Sequence, residues 1–332
     1  MAVLALDVGG TKLAAGVVDD DGVVRAFRVA PSAAARGPRD TLARLFALGR
    51  EAVAAAGPGA PIAAVGIGCG GPLDRERGVL VAPPHLPGWR DVPIVAMAQE
   101  ALGLAAALEN DATAAAAAEH RWGRGAGVRH LVYLTISTGV GGGIVVDGRL
   151  YRGASGNGGE LGHVTVDRHG RACRGCGRRG CLEAYASGTS IAERAAEALA
   201  AAAPGAPPSA LAALDAPSAA DVAAAARDGD PLATRVWAET CDALACGLTS
   251  LVNVLEPELV VLGGGVTRAG EQLLAPVRAR VAADAMGPAA AAVRIERSGF
   301  GDRVGVMGAA AIAPRAGARA PHGEAASRDV RA

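Results

Sequence analysis

The sequence predicts an α/β protein made of two related lobes that face each other. The length of 332 residues exceeds a single average core and suggests about two domains. Apolar strand-like runs alternate with helical segments along the chain. The order strand, glycine loop, strand and Asp-Gly turn also occurs twice, in residues 4–23 and 132–150. Such an internal repeat favours two related lobes over one long sheet.

The N-terminal lobe is predicted to cover residues 1–112. Short apolar runs separated by tight turns predict three antiparallel strands within residues 3–29. Apolar patterning places the other elements of this lobe as strands at 62–67, 79–81 and 105–108 and helices at 39–56 and 93–102. A helix predicted at 112–122 follows at the boundary and leads into the next lobe.

The C-terminal lobe is predicted to cover residues 113–313, and its last helix is expected to be able to pack back onto the N-terminal lobe. Its strands are expected at 130–137, in the apolar run that ends at Val146, at 259–262 and at 293–296. Its helices are expected at 187–202, 231–255, 269–283 and 304–313. Residues 203–219 are rich in alanine and proline, which is typical of a loose surface insertion. Residues 314–332 have no periodicity and are expected to be disordered.

Charge and cysteine content exclude several classes of partner. The net charge is zero and the isoelectric point is near 7.0, so no overall basic field exists to attract nucleic acid or an anionic membrane. The N-terminus has no signal-peptide pattern, and no apolar run approaches the length of a membrane span. Three of the six cysteines lie in one cluster and the others in apolar segments, which fits a reducing compartment. We therefore expect a cytoplasmic protein.

Residues 160–183 hold a candidate metal site. His163, Cys173, Cys176 and Cys181 are spaced His-x9-Cys-x2-Cys-x4-Cys, with interleaved glycines that supply sharp turns. This is the donor set of a closed, tetrahedral, structural zinc site. His169 is a rival fourth ligand, and the alternative is a loop with three unrelated reduced cysteines and a surface histidine. Folding the loop around zinc would bring the flanking carboxylates Glu160 and Glu183 near one another.

Three glycine loops each follow an apolar run and predict a nucleotide cradle. They are Gly9-Gly10-Thr11, Thr138-Gly139 to Gly143, and Gly263 to Gly265. Loops of this kind offer backbone N–H groups to phosphate oxygens. None matches the Walker pattern or a well-placed Gly-x-Gly-x-x-Gly, so neither a P-loop nor a Rossmann domain is indicated. Hairpin turns are the alternative.

Lys12 is the only lysine in the chain and lies in the first of these turns. Its position suggests a phosphate role, although a general preference for arginine also explains its rarity.

Asp111 is the candidate for catalysis. It follows a predicted strand, where side chains face a cleft, and a carboxylate there can take the proton of an alcohol as its oxygen attacks phosphorus. The alternative is an ordinary helix N-cap, since asparagine and aspartate both favour that position. Asn110 could serve as the cap while Asp111 points into the cleft, so the two interpretations are compatible.

Five motifs resemble those of the ROK family (repressors, open reading frames, kinases). They are Asp7-Val-Gly-Gly-Thr-Lys12, Glu109-Asn-Asp-Ala112, Thr138-Gly-Val-Gly-Gly-Gly143, Gly159-Glu-Leu-Gly-His163 and Cys176-Gly-x-x-Gly-Cys181-x-Glu183. The resemblance covers residues 3–312 and is strongest to the bacterial glucokinases and sugar kinases of that family. It implies a two-lobed actin-like (ribonuclease H-like) ATPase fold, with ATP and a sugar in the cleft between the lobes.

The resemblance also implies roles for individual residues. Asp111 would be the catalytic base, and the groups near the sugar would be Gly71, Asn110, Asp111, Glu160, His163 and Glu183. Asp7 would act near Mg²⁺, with His163 serving both zinc and sugar. The phosphate and adenosine groups would contact Gly9, Gly10, Thr11, Lys12, Thr138, Gly139, Gly141 and Gly264. The implied reaction is phosphorylation of a hexose at its 6-hydroxyl by ATP, glucose first, with N-acetylated hexosamines or fructose as alternatives, in a homodimer or homotetramer.

Two departures from the family pattern concern the metal and the sugar. Cys173 and Cys176 are separated by two residues where the family commonly has Cys-x-Cys, and His85 stands where many relatives have asparagine. A DNA-binding repressor of the same family would need a helix-turn-helix ahead of the first strand, and only two residues precede Val3. A sensor without catalysis is disfavoured because Asp111 and the three loops are intact.

Overall fold

The computed structural model describes residues 1–59, 61–203, 205 and 207–314. Twelve strands are found in this part of the chain: β1 (Ala2–Val8), β2 (Lys12–Asp19), β3 (Val24–Pro31), β4 (Ile62–Cys69), β5 (Leu73–Asp74), β6 (Val79–Leu80), β7 (Ala106–Asn110), β8 (Leu131–Ile136), β9 (Val140–Val146), β10 (Arg149–Tyr151), β11 (Leu259–Gly263) and β12 (Arg294–Arg297). Ten α-helices occur in the same ranges: α1 (Pro38–Ala56), α2 (Ile94–Leu102), α3 (Asp111–Trp122), α4 (Glu183–Ala186), α5 (Gly188–Ala200), α6 (Ala219–Arg227), α7 (Pro231–Leu255), α8 (Glu271–Asp284), α9 (Gly287–Ala292) and α10 (Val304–Ile312).

The strands form two five-stranded sheets with the same internal order, and β5 and β6 form a separate ribbon. The first sheet runs β3-β2-β1-β4-β7 and the second runs β10-β9-β8-β11-β12. In each, three antiparallel strands joined by turns are followed by two strands parallel to the central one. The repeat expected from the sequence is therefore present in the topology.

Two helices lie between the sheets. Along β1, Leu4 and Leu6 face the core under α1 and α2, whereas Val3 and Ala5 face α10, as the period of two in a strand requires. Helix α3 packs against β8 and β9 of the second sheet and also against α10. The opposite face of the second sheet is covered by α5 to α8. The last helix thus packs on the first sheet, while the domain limits at residues 112 and 313 stay a prediction.

The parallel strands of the first sheet bring three polar groups to one edge. Asp7 pairs with Gly68, and Cys69 pairs with Asn110, so the carboxyl ends of β1, β4 and β7 lie side by side. In open α/β sheets, ligands bind at this edge.

Most predicted elements are present, with shifts of a few residues at their ends. Helix α7 begins at Pro231, as predicted, because Asp230 Oδ1 accepts a hydrogen bond from Ala233 N (2.9 Å) and proline fits the first turn. Helices α6 and α9 were not predicted, because alanine-rich runs give little periodic contrast.

The expectation of a loose insertion at residues 203–219 was wrong in part. Residues Ala210–Ala213 form a 3-10 helix, and Leu211 is 1% exposed within the second core. The disordered tail expected at 314–332 lies, apart from Pro314, outside the described residues. No helix in the described ranges is long and apolar enough to span a membrane.

Candidate active site

The sequence left open whether Asp111 caps helix α3 or faces the cleft, and the structure answers this through the hydrogen bonds of Asn110 and Asp111. Asn110 is the N-cap of α3, and its Oδ1 accepts hydrogen bonds from Ala112 N (3.0 Å) and Thr113 N (3.1 Å). Asp111 Oδ1 also accepts from Ala112 N, at 2.8 Å, while its side chain is exposed to the cleft. The helix is therefore capped without relying on Asp111 alone.

The carboxyl groups of Asp111 and Asp7 interact. Protein surrounds Asp111 on the sides away from the cleft, and this desolvation raises its pKa, opposed by the Ala112 N–H group and by His85. The pKa of Asp7 is raised to about 7, mainly by burial and then by the charge of Asp111, with Lys12 opposing. Carboxylates with raised pKa values in a cleft are typical of functional sites.

A cleft of about 1140 Å³ joins several of the predicted residues. Its walls include Asp7, Lys12, Asp111, Ser137 and Gly264. The volume is ample for a nucleotide, since ligand pockets commonly measure about 300–1,000 Å³. Of the predicted phosphate and adenosine residues, Lys12 and Gly264 thus line the same space as the predicted base.

The glycine loops approach neighbouring groups closely, and at Gly264 the neighbour is backbone. Gly264 has a φ of +88°, and a Cβ atom there would lie 2.3 Å from Ile136 O. A Cβ atom on Gly139 would lie 2.8 Å from Glu183 Oε2. In the first loop, Gly9 N donates to Lys12 O (2.9 Å), which closes a tight turn.

A second cavity, of about 540 Å³, opens beside the turn that follows β11. Thr138 and Gly265 line it together with apolar residues of α6 and the N-terminal part of α5. Thr138, which was predicted to contact the nucleotide, therefore lines this second cavity, whereas Gly264 lines the larger cleft.

A third cavity, of about 20 Å³, lies on the predicted sugar side. Asn110, Gly141, Asn157 and Glu160 contribute to its wall. Gly141, which was predicted for the cofactor, thus also faces the predicted sugar residues. Burial raises the pKa of Glu160; His163 lowers it, and the negative charges of Asp111 and Glu183 raise it further. The carboxylates of Glu160 and Glu183 therefore interact electrostatically.

Glu183 connects the cysteine cluster with the second glycine loop. Its Oε2 accepts a hydrogen bond from Val140 N at 2.9 Å, and its Oε1 accepts one from Cys173 Sγ at 3.4 Å. The sequence did not predict the contact with Val140.

The four predicted metal ligands form one cluster. The ligand atoms of His163, Cys173, Cys176 and Cys181 all lie within 4.8 Å of one another. Cys176 Sγ lies 3.5 Å from Cys181 Sγ, and Cys173 Sγ lies 3.7 Å from His163 Nδ1. Two sulfurs bound to one tetrahedral zinc at about 2.3 Å would be about 3.8 Å apart, so this donor set fits zinc. Cys173 belongs to the cluster despite its Cys-x-x-Cys spacing, and His169 does not.

His85 lies where the first loop, the Gly70 loop and the base meet. Its Nε2 is 3.9 Å from Cys69 Sγ, and its Cε1 would lie 2.5 Å from a Cβ atom on Gly70. Burial lowers the pKa of His85, and the charge of Asp111 opposes this.

Two further polar residues at the site were not predicted. Arg152 Nε donates to Glu109 Oε2 (2.7 Å), next to Asn110, and Glu109 is 1% exposed. Asn157 forms hydrogen bonds with Leu73, 84 residues away. The available signal for Asn157 was an amide inside the glycine-rich run that precedes Glu160.

Comparison with known proteins identifies the family of this fold and site. Residues 3–316 match the ROK family. The chain belongs to the ROK family. Its ROK relatives include a glucokinase from Thermotoga maritima, 35% identical over 319 residues, covering 94% of this chain and 97% of the relative. An N-acetylmannosamine kinase from Citrobacter koseri is 38% identical over 314 residues, covering 94% and 99%.

A solved ROK structure supports the same assignment. The ROK family glucokinase from Streptomyces griseus, in complex with glucose and AMPPNP, matches with a TM-score of 0.78 and 33% identity, covering 93% of this chain and 98% of that one. The chain therefore has the two-lobed actin-like fold of ROK sugar kinases, as the resemblance implied.

Proposed function

We propose that this protein transfers the γ-phosphoryl group of ATP to the 6-hydroxyl of an aldohexose, with glucose preferred. The observation that carries the proposal is the position of Asp111, whose carboxylate is exposed in a cleft between glycine loops and a group of hydrogen-bonding side chains. Family membership supports an ATP-dependent sugar kinase, and the glucokinase relative supports glucose.

Asp111 acts as the general base. Its carboxylate accepts the proton of the sugar hydroxyl while that oxygen forms a bond to the γ-phosphorus and the bond from that phosphorus to the oxygen of the departing ADP breaks. The raised pKa of Asp111 makes its carboxylate a stronger base than an ordinary one.

The sugar hydroxyls other than the reacting one need partners. We assign these contacts to Gly71, Asn110, Glu160, His163 and Glu183. His163 Nδ1 faces the sulfur cluster, so its Nε2 is the atom free to contact a sugar. Each buried polar partner that a wrong epimer leaves unpaired costs roughly 1–3 kcal/mol, so a few such groups select one epimer.

The nucleotide is assigned to the cleft and the cavity beside it. The loops at residues 9–12 and 138–141 would offer backbone N–H groups to phosphate oxygens, apart from those of Gly9 and Val140, which already donate to Lys12 O and Glu183 Oε2. Gly264 would lie close to the adenosine. Mg²⁺ bound with ATP would neutralise phosphate charge, and Asp7 is the residue we place beside it.

A structural zinc ion is proposed for the cluster of His163 and the three cysteines. Zinc would hold the loop of residues 160–183 in shape, since structural zinc binding can be worth about 10–16 kcal/mol in small peptides. The neighbouring Glu160 and Glu183 would be held by the same loop.

A coupled assay of ADP release over a panel of hexoses tests the proposal. Glucose, mannose, fructose, N-acetylglucosamine and N-acetylmannosamine would be compared with ATP as donor and a reaction without enzyme as the blank. With polyphosphate as donor, which releases no ADP, the sugar 6-phosphate would be measured directly. The relation to an N-acetylmannosamine kinase makes that sugar the second candidate. If no hexose yields ADP or a 6-phosphate above the blank, the kinase proposal fails; if an N-acetylated sugar is preferred, only the choice of glucose fails.

A further inference from the structure

The side chain of Asn157 joins two segments that follow different sheets. Its Oδ1 accepts a hydrogen bond from Leu73 N (3.2 Å), and its Nδ2 donates to Leu73 O (3.2 Å). Only this orientation of the amide satisfies both backbone groups. Leu73 is 3% exposed and begins the β5–β6 ribbon after the first sheet, whereas Asn157 lies in the loop after β10 of the second.

The same amide has no donor left for a ligand. Nδ2 also donates to Ser155 O (3.2 Å), so both of its protons are used. The loop itself is closed by Gly158 N donating to Arg152 O (2.7 Å), and Arg152 is paired with Glu109. Asn157 is thus held on a loop anchored at both ends.

Asn157 forms part of the wall of the small cavity on the predicted sugar side. A Cβ atom on Gly71 would lie 3.7 Å from Asn157 Oδ1 and 3.6 Å from Asn110 Nδ2, so these groups enclose Gly71. The cavity they share with Glu160 measures about 20 Å³. A space of about 10–15 Å³ on this measure is enough for one water. A hydroxyl fits this space, but an acetamido group, with several more non-hydrogen atoms, does not.

We propose that Asn157 is a specificity-determining residue of the hexose pocket. By binding both backbone groups of Leu73, its side chain is held in the wall of the small cavity beside Asn110 and Glu160, and this cavity admits a hydroxyl but not an N-acetyl group. This inference rests on the proposed hexose kinase activity, which it makes more specific.

The test compares kcat/KM for glucose and N-acetylmannosamine in the wild type, Asn157→Ala and Asn157→Asp. Loss of both hydrogen bonds is expected to lower kcat/KM for glucose by about 5- to 30-fold, through KM rather than kcat, because Asn157 does not contact the base. The ratio of glucose to N-acetylmannosamine should fall by about 10-fold or more as the wall is released. Asn157→Asp keeps the volume but places a carboxylate oxygen against the carbonyl oxygens of Leu73 and Ser155, so its ratio should fall at least as far as that of Asn157→Ala.

Asn253→Ala is the matched control. Its amide oxygen accepts a hydrogen bond from Met286 N (2.8 Å) at an exposed position outside the cavities described here. It should leave both sugar parameters and the KM for ATP unchanged. A hexose kinase whose preference is the same in the wild type and both Asn157 variants would overturn the role of Asn157 alone. A wild type that phosphorylates no hexose would overturn the proposed function and this inference together.

Discussion

Replacing Asp111 with asparagine removes the carboxylate assigned as the base and keeps the shape of the side chain. The structure predicts that folding is preserved, because Asn110 Oδ1 binds the N–H groups of Ala112 and Thr113. The remaining bond, from Ala112 N to Asp111 Oδ1, can be kept by the amide oxygen of asparagine. We expect the free energy of unfolding to change by less than about 1 kcal/mol, which is the typical net value of one such hydrogen bond.

Turnover should fall far more than stability. A positioned base contributes about 10²–10⁴ in rate, which corresponds to about 2.7–5.4 kcal/mol of the activation barrier. The assay is coupled ADP release at saturating glucose and ATP, with glucose binding measured by calorimetry to show that the pocket is intact. Asp40→Asn is the matched control, since Asp40 is exposed in the first turn of α1, a helix that lines none of the three cavities, and the change should leave kcat unchanged.

The two interpretations of Asp111, as catalytic base and as helix cap, predict opposite effects of Asp111→Asn on kcat. If Asp111 serves mainly as a cap, Asp111→Asn will retain at least a tenth of the wild-type kcat, and the role of base is refuted. Asn110→Ala removes the cap instead, and should lower the free energy of unfolding by about 0.5–2 kcal/mol. Urea unfolding of both variants, monitored by circular dichroism, separates the two.

Three further predictions concern the pH dependence of kcat, the zinc content and the ion pair between Glu109 and Arg152. Only ionised Asp111 can accept a proton, and its pKa is raised, so kcat should begin to fall with decreasing pH above pH 3.8, the ordinary pKa of an aspartate carboxyl group. A kcat that stays constant down to pH 3.8 would contradict this. Cys176→Ser should lower the zinc content from one ion per chain, measured by elemental mass spectrometry, and a wild type without zinc would refute the site. Glu109→Gln should reduce the free energy of unfolding by about 1–3 kcal/mol in urea titrations, because Arg152 loses its charged partner but stays partly solvated; an unchanged value would show that the pair adds nothing.

The parts of the fold that local sequence determines were predictable. The tight turns between β1, β2 and β3 and the proline start of α7 depend on residues close in sequence. The repeated order of elements indicated two related sheets, and the donor spacing indicated the cluster of His163 with the three cysteines. In each case the information lies in a turn, a motif spacing or a repeated order of elements, all of which can be seen in a single sequence.

The parts that depend on distant segments were not predictable. Leu211 is buried by the surrounding helices of the second core, whereas the composition of its segment alone predicted a loose surface insertion. The bonds from Asn157 to Leu73 span 84 residues, and nothing near Asn157 in the sequence indicates Leu73 as its partner. His85 could be singled out only as a departure from a family motif, and its proximity to Cys69 required the structure.

Glu183 explains how a metal loop distant in sequence from the base can matter for both substrates. One carboxylate oxygen accepts from Val140 N in the second glycine loop, and the other contacts Cys173 in the metal cluster. The same residue is the first of α4, directly after the turn that holds Cys181, so its position follows that of the cluster. A change in the metal loop therefore moves a proposed sugar contact and a proposed phosphate contact together. Under the proposed function, loss of metal should raise the KM for ATP as well as for the hexose, whereas a loop that served the sugar alone would change only the hexose KM.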